Sequence, residues 1–356
     1  MKDTSQAKPD RDRGIYQAAW LHYEQGHPQK AIATQLGVDK TTISRWLREA
    51  IDRRIVRFSL FPDGSATLES RLKHCFNLRH VLVIPSIPMS SPSGEAADHT
   101  KVSEEIRALQ HEQLGQVAAE LVSKNMQGNM GLGLGGGTGV AAFSRHLPGF
   151  CPTVALNIFA LSVSSREPFS LCSSSVTAVA ASLLSNEFQQ RAVRRRRGRS
   201  ADTSVPKVVG NALRLPKRSR DVRDLVADAD CYYDSAMDRT DMIVTGIGAI
   251  ESCWVLDESE RLNLKNDGAV GDILYDLFGE GGTPVAFLGG TPTFPFGITR
   301  LRRMVTDGKD VIVICTAKAR AAYHAISGRH GQFVTGLVTD ESTATDILAI
   351  HASAGR

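Results

Sequence analysis

The chain has 356 residues, 42% hydrophobic and 22% charged, which exceeds one ordinary domain and predicts a small globular module joined to a larger one. Met1 to Gly14 is polar and mixed in charge, and no later run reaches the roughly 20 apolar residues that span a bilayer, so a cytoplasmic protein without membrane contact is expected. The formal net charge of +4 falls within residues 1–60, where 11 Lys/Arg face 7 Asp/Glu, as attraction to nucleic-acid phosphates requires; the remainder is balanced.

Six cysteines are scattered without a Cys-x-x-Cys pair, and the ten histidines form no His-x-x-x-His or Cys/His cluster. Free buried thiols and the absence of a metal site or cofactor are the expectation.

Three helical stretches open the chain: Ile15 to Gln25, Gln29 to Leu36, and Lys40 to about Ala50. Gly26-His27-Pro28 separates the first two. Gly37-Val38-Asp39 makes a tight turn between the second and third, with Gly37 suited to positive φ and Asp39 placed to cap the next helix. Small Ala33 falls where two steeply crossed helices touch, and Ile32, Leu36, Val38, Ile43, Trp46 and Leu47 supply the apolar positions. Lys40, Thr41, Thr42, Ser44, Arg45 and Arg48 are then left on the outer face of the third helix. A purely structural hairpin uses the same spacing, but the terminal position, the basic charge and the polar third helix favour DNA, with Arg45 or Arg48 at base edges. Ile55 to Leu60 alternates like a short strand and Phe61-Pro62-Asp63-Gly64 marks its exit, which divides the chain into domains 1–61 and 62–356.

Beyond Leu68, apolar β-type runs alternate with helical stretches: Val81 to Ile84, Met130 to Leu134, Val154 to Leu161, Lys207 to Val209, Met242 to Gly246, Val285 to Leu288, Val311 to Cys315 and Phe333 to Val338. The pattern predicts an α/β class with a mainly parallel sheet covered by helices. Pro85 to His99 reads as a loop, followed by a helix from about Lys101 to Lys124 with Val102, Ile106, Leu109, Leu114, Val117 and Leu121 on its apolar face.

Gly131-Leu132-Gly133-Leu134-Gly135-Gly136-Gly137-Thr138-Gly139 ends one strand and precedes the helical pattern Val140 to Leu147. Backbone amides at such a junction can hold a phosphate on the positive end of the helix. The glycines satisfy a dinucleotide fingerprint, yet Cys151 to Ala155 lacks the acidic residue that would hold a ribose, which argues against a dehydrogenase. Two readings stand: the glycines permit tight packing, or they line a ligand site, and the Thr138 hydroxyl tilts the balance to the second. The run Arg194 to Arg197, with Arg199, reads as a solvated loop or an auxiliary anion contact. Asn266 to Asp272 reads as a turn leading into a helix from Ile273 to Phe278; Asp272 near its start either caps that helix or accepts hydrogen bonds from sugar hydroxyls.

Taken together, these segments resemble the SorC family of sugar-responsive bacterial transcription regulators over nearly the full length. The resemblance is carried by Ile32 to Val38 and Thr42 to Ala50 in front, then Leu68 to Leu72, Gly246-Ile247-Gly248, Gly268 to Asp272 and Leu337 to Glu341. It implies a helix-turn-helix domain followed by a Rossmann-like effector domain of the sugar-phosphate isomerase/deaminase type, without catalysis. It also implies operator DNA and a phosphorylated sugar as partners and assembly into homodimers or homotetramers. By position, Gly135, Gly136, Gly137 and Thr138 fall on the family's phosphate loop and Asp272 on an acidic residue facing the sugar. The family's lysine after the strand ending near Cys315 lacks its usual Gly-Gly pair here, so either Lys318 or Arg320 supplies the cation. An active sugar-phosphate isomerase or deaminase on the same fold is the alternative function, with Asp272 as its acid/base group.

Overall fold

The computed structural model describes residues 11–53, 55–56, 65–87, 96–151, 155–164, 169–196, 207–212, 222–253, 256–286 and 293–354. The chain divides into two units, Met1–Phe61 and Pro62–Arg356.

In the first unit, α1 (Arg11–Ala19) widens into one turn over Trp20–Glu24, where the Gln25 amide reaches back to the Trp20 carbonyl at 3.2 Å. Helices α2 (Gln29–Leu36) and α3 (Lys40–Asp52) follow. Gly37 ends α2 at φ 66°, and Asp39 starts α3 by accepting the Thr42 amide at 2.7 Å. Ile15, Ala18, Ile32, Ala33, Ile43, Trp46 and Leu47 form a separate small core. Arg11 pairs with Glu49 at 2.9 Å and Arg53 with Asp12 at 2.8 Å, joining α1 to α3. The strand expected at Ile55 to Leu60 does not begin there: the Ile55 and Val56 amides both return to the Ala50 carbonyl, closing the end of α3, and residues 57–60 lie outside the described residues.

The second unit runs α4 (Ala66–Phe76), β1 (His80–Ile84), α5 (Ala96–Asn125), β2 (Met130–Leu134), α6 (Thr138–Phe150), β3 (Leu156–Ala160), β4 (Ser162–Ser164), α7 (Ser173–Arg196) and β5 (Val208–Asn211). It continues through α8 (Val222–Arg239), β6 (Met242–Gly246), β7 (Gly248–Ala249), α9 (Glu258–Asn266), β8 (Ala269–Ile273) and β9 (Asp276–Gly279). Last come β10 (Thr293–Pro295), α10 (Ile298–Thr306), β11 (Asp310–Ile314), α11 (Ala319–Ile326), β12 (Gly336–Asp340) and α12 (Glu341–Ala354). Seven strands make one parallel sheet in the order β1-β12-β11-β6-β2-β3-β5. Strands β7, β8 and β9 form a small antiparallel sheet, and β10 pairs antiparallel with β4.

Alternate strand residues feed two cores. Val81, Val83, Ile243, Val311, Val313 and Leu337 pack with Leu72, Tyr233, Leu301 and Ile347 on one face; Ile84, Leu132, Leu134, Val244, Ile312 and Ile314 pack with Leu114, Phe143 and Leu184 on the other. A sheet buried on both faces produces such continuous apolar runs. In β2 the leucines take the second face and the glycines the first. A Cβ on Gly131 would lie 1.6 Å from the Arg239 carbonyl oxygen, and one on Gly135 would lie 2.2 Å from Thr245 Oγ1.

Several local expectations change. Helix α5 begins at Ala96, inside the segment read as a loop, and Leu109 is 53% exposed, since its buried stripe runs through Leu114, Val117, Ala118 and Val122 instead. Arg194 to Arg196 continue α7, and Arg197 and Arg199 lie outside the described residues. Val285 and Ala286 are not in a strand, and 287–288 are outside the described residues. Cys151, Cys253 and Cys315 are buried as expected of the thiols, but Cys75 and Cys231 are exposed and Cys172 is half-buried. Among the described residues no helix is long and apolar enough to cross a membrane.

Gly131→Ala is expected to destabilise the protein by about 3 kcal/mol or more, because its methyl meets backbone that cannot yield. Gly128→Ala, whose Cβ has nothing within 4 Å, should stay within about 0.5 kcal/mol. Urea denaturation midpoints compare the two.

Candidate functional site

Two surfaces carry polar groups that the fold itself leaves over. On α3, Lys40, Thr41, Ser44, Arg45 and Arg48 are exposed, while Ile43, Trp46 and Leu47 point into the small core. Thr42 is half-buried and its hydroxyl donates to Asp39 Oδ2 at 2.7 Å, so it is engaged in starting the helix. Among the described residues, Lys40, Arg45 and Arg48 enter no ion pair, whereas Arg11 and Arg53 do. Helix α3 therefore offers cations and hydroxyls on one open face, the chemistry that reads phosphates and base edges.

In the second unit, β2 and β6 are neighbours, but the chain leaves β2 towards β3 on one side and β6 towards β11 on the other. A crevice opens at the carboxyl ends of strands that part in this way. A cleft of about 450 Å³ lies here. Gly136, Gly137, Thr138 and Gly139 form one wall, at the start of α6. Ile314, Cys315, Thr316 and Lys318 come from the end of β11, and Thr245 to Gly248 from the end of β6. Asp272, Leu274 and Tyr275 enter from the small sheet, Arg107 and His111 from α5, and Ser162 from β4.

The loop after β2 is held on both sides: the Gly135 amide donates to the Val244 carbonyl at 3.0 Å and the Gly137 amide to the Leu171 carbonyl at 2.9 Å. Gly137 stands at φ 103°, a conformation that glycine adopts freely, and turns the chain into α6. The first-turn amides of α6, from Thr138 onward, have no intrahelical acceptor and converge with the helix dipole on the cleft.

Asp272 lies on β8, paired with Gly248 of β7, and not at the start of a helix; the helix expected over Ile273 to Phe278 is a β-hairpin. Its two-residue turn, Leu274 and Tyr275 at φ 52° and 67°, puts both side chains in the cleft wall. Such turns ordinarily use Asn-Gly or Gly, so the sequence lacked the hairpin signal. Gly248 makes room for the acid: a Cβ there would sit 1.8 Å from Asp272 Oδ1. Burial raises the Asp272 pKa above the ordinary carboxylate range, against the opposing pull of Lys318 and hydrogen bonds from Cys253 and the Tyr275 amide.

Lys318 precedes α11 and donates from Nζ to the Ile247 carbonyl at 2.8 Å. Its turn is pinned by the Ala317 amide, which donates to Thr343 Oγ1 at 2.9 Å, while that hydroxyl donates to Asp340 Oδ2 at 3.0 Å. Burial pushes the neighbouring Cys315 thiol up to about 11, so it stays neutral. Of the residues read from the sequence, Gly136, Gly137, Thr138, Asp272 and Lys318 meet in this cleft. Gly135 sits behind the wall in a packing role, and Arg320 is exposed and does not line it; of the two candidate cations, Lys318 is the one that faces inward. Sequence reasoning missed Arg107, His111 and Ser162. His111 and Ser162 each bury a polar atom, Nδ1 and Oγ, that hydrogen-bonds to no other described group. A helix register and a strand end gave no local signal that these residues line a cavity.

Comparison with known proteins follows the same division. The family model "Putative sugar-binding domain" matches residues 62–349, and a homeodomain-like helix-turn-helix model matches residues 15–53. The "Uncharacterized transcriptional regulator YjhU" of Escherichia coli strain K12 is 24% identical, over 98% of each chain. The transcriptional regulator LsrR of Enterobacter sp. strain 638 is 25% identical, over 94% of this chain and 93% of that one. Among solved structures, the full-length sorbitol operon regulator SorC from Klebsiella pneumoniae superposes with a TM-score of 0.65 at 21% identity, covering 95% of this chain and 99% of that one. These matched relatives are transcription regulators rather than enzymes.

A buried carboxyl whose pKa is raised favours the folded state fully only while protonated, and loses that contribution as pH climbs through its folded pKa. Asp272→Asn is therefore expected to raise the melting temperature at neutral pH by roughly 2–4 °C, about 1 kcal/mol. The gap from the wild type should close as pH falls below the ordinary carboxylate range. Thermal unfolding of both proteins across that range checks the sign.

Proposed function

This chain belongs to the SorC family of transcription regulators with a sugar-binding domain, and from that we propose that a phosphorylated sugar controls its binding to the operator of a carbohydrate-utilisation operon. Residues 1–61 serve as the DNA-binding domain, with Lys40, Thr41, Thr42, Ser44, Arg45 and Arg48 on the DNA face and Thr42 presenting its helix end rather than its hydroxyl. Residues 62–356 bind the effector and join the chain into a cytoplasmic homodimer or homotetramer.

One observation carries the effector reading: a single cleft gathers the first turn of α6, the Lys318 ammonium and the buried Asp272 carboxylate. A phosphate at Gly136 to Thr138 gains amide donors, the positive helix end and a nearby cation. Asp272 repels that phosphate and accepts hydrogen bonds from hydroxyls, which orients a sugar with its phosphate away from the acid. A cleft of about 450 Å³ suits a molecule of this size. Binding alters operator affinity only to the extent that the ligand prefers one arrangement of the paired DNA-binding domains.

A thermal-shift screen of hexose and pentose phosphates beside the free sugars tests the effector. One phosphorylated sugar should raise the melting temperature, as a ligand specific to the folded state does. Thr138→Ala and Lys318→Ala should each abolish the shift, and Arg320→Ala should keep it. Equal shifts in all four proteins would remove the site assignment.

For the DNA face, Arg45→Ala or Arg48→Ala should relax operator preference by about 1–3 kcal/mol in gel-shift titrations against mutated operators. Unchanged affinity and preference in both variants overturn the recognition-helix assignment.

A further inference from the structure

Two buried polar atoms on residues that line the cleft have no bonding partner among the described residues. Ser162 is only 2% exposed, and its Oγ is buried in the cleft wall without an acceptor or donor. His111 presents a buried Nδ1 in the same condition. Buried polar atoms without partners are costly, and two that line one cavity point to a ligand that supplies the missing bonds.

The position of His111 follows from how α5 meets α6. Contact is closest at Gly115, where a Cβ would lie 2.5 Å from both Ala142 Cβ and the Phe143 nitrogen. One turn earlier on α5, His111 Nδ1 comes within 3.9 Å of the place a Cβ would take on Gly139. It therefore faces the first turn of α6, where the loose amides are.

We infer that His111 is a direct ligand of the anion bound at the start of α6, and that it takes up a proton from solvent as that anion binds. The inference rests on the phosphate-loop reading above and deepens it: the effector site prefers a dianion and couples its occupancy to pH. Lys318, across the cleft, and Arg107, on the same helix, disfavour the imidazolium; Asp340, at the end of β12, and Glu112 favour it. Asp272 and Cys315 share the cavity. Burial, then Lys318, holds the His111 pKa below its ordinary value, so the imidazole is neutral in the absence of an anion. A dianion beside Nδ1 offsets the ammonium of Lys318 and favours the charged ring. The sign follows: with the pKa raised by the ligand, affinity is highest below the free-protein pKa and falls as pH rises through the bound one.

Sulfate is the decisive probe, since it stays a dianion across the histidine range and any proton taken up belongs to the protein; inorganic phosphate is its physiological counterpart. In the full chain with labelled histidine, the His111 ring is followed by NMR through a pH titration with and without saturating sulfate, and assigned by its loss in His111→Asn. The amides of Gly136 to Gly139 report occupancy. The His111 pKa should rise by about one unit or more on saturation. Sulfate affinity should fall about tenfold per pH unit between the two pKa values, and His111→Asn should lose that slope and the proton uptake seen by calorimetry in buffers of different ionisation enthalpy. Direct titration of the wild-type ring decides the matter even if the variant fails to fold. Should sulfate move the loop amides while the His111 titration stays in place, His111 is not a ligand and the phosphate loop stands. Should neither sulfate nor phosphate move the loop amides at any pH, the loop reading fails and this inference with it.

Discussion

The close approach of β2 to its surroundings is the constraint on which the sensor unit depends. Gly131 and Gly135 run against the Arg239 carbonyl and the Thr245 hydroxyl at distances that leave no room for a methyl. This lets β2 lie between β3 and β6 with its leucines and Met130 packed in the opposite core. Because β2 ends in that tight channel, α6 begins at the seam where the sheet's connections part. The amides of its first turn are thereby delivered to the cleft rather than to solvent.

Around those amides the cleft balances opposite electrostatic demands. Lys318 and the helix start favour an anion, while Asp272 on the facing hairpin is buried against its own solvation. Gly248 is open where the carboxylate needs room, and the Leu274-Tyr275 turn takes up left-handed backbone that non-glycine residues rarely adopt. Strained backbone and a desolvated acid thus meet in the small antiparallel sheet beside the cleft. Such local departures from stable choices are characteristic of sites shaped for a ligand.

The first unit separates its charges by task. Arg11 and Arg53 are engaged with Glu49 and Asp12 in joining α1 to α3. Lys40, Arg45 and Arg48 are left exposed on α3, and no acid of the described residues pairs with them. The basic residues of this unit thus divide between those that hold the fold together and those left open to a polyanion.

Much was determined by the sequence itself. Periodic apolar residues placed the three front helices and most strands of the large sheet within a few residues, because 3.6-residue and buried-strand patterns are local properties. Turn chemistry at Gly37 and Asp39 located the start of α3, and the Gly136-Gly137-Thr138 junction marked a loop that lines the cleft. Tertiary structure alone decided the rest. The Ile273 to Phe278 segment became a hairpin because its partner Gly248 is distant in sequence and its turn lacks the usual residues. Alternate glycines of β2 were assigned to packing by neighbours as remote as Arg239, and Lys318 was separated from Arg320 by the direction of one turn held from α12 through Thr343. His111 and Ser162 became site residues only when helix and strand ends from different parts of the chain closed around one cavity, since a side chain's surroundings are set by contacts that no local pattern encodes.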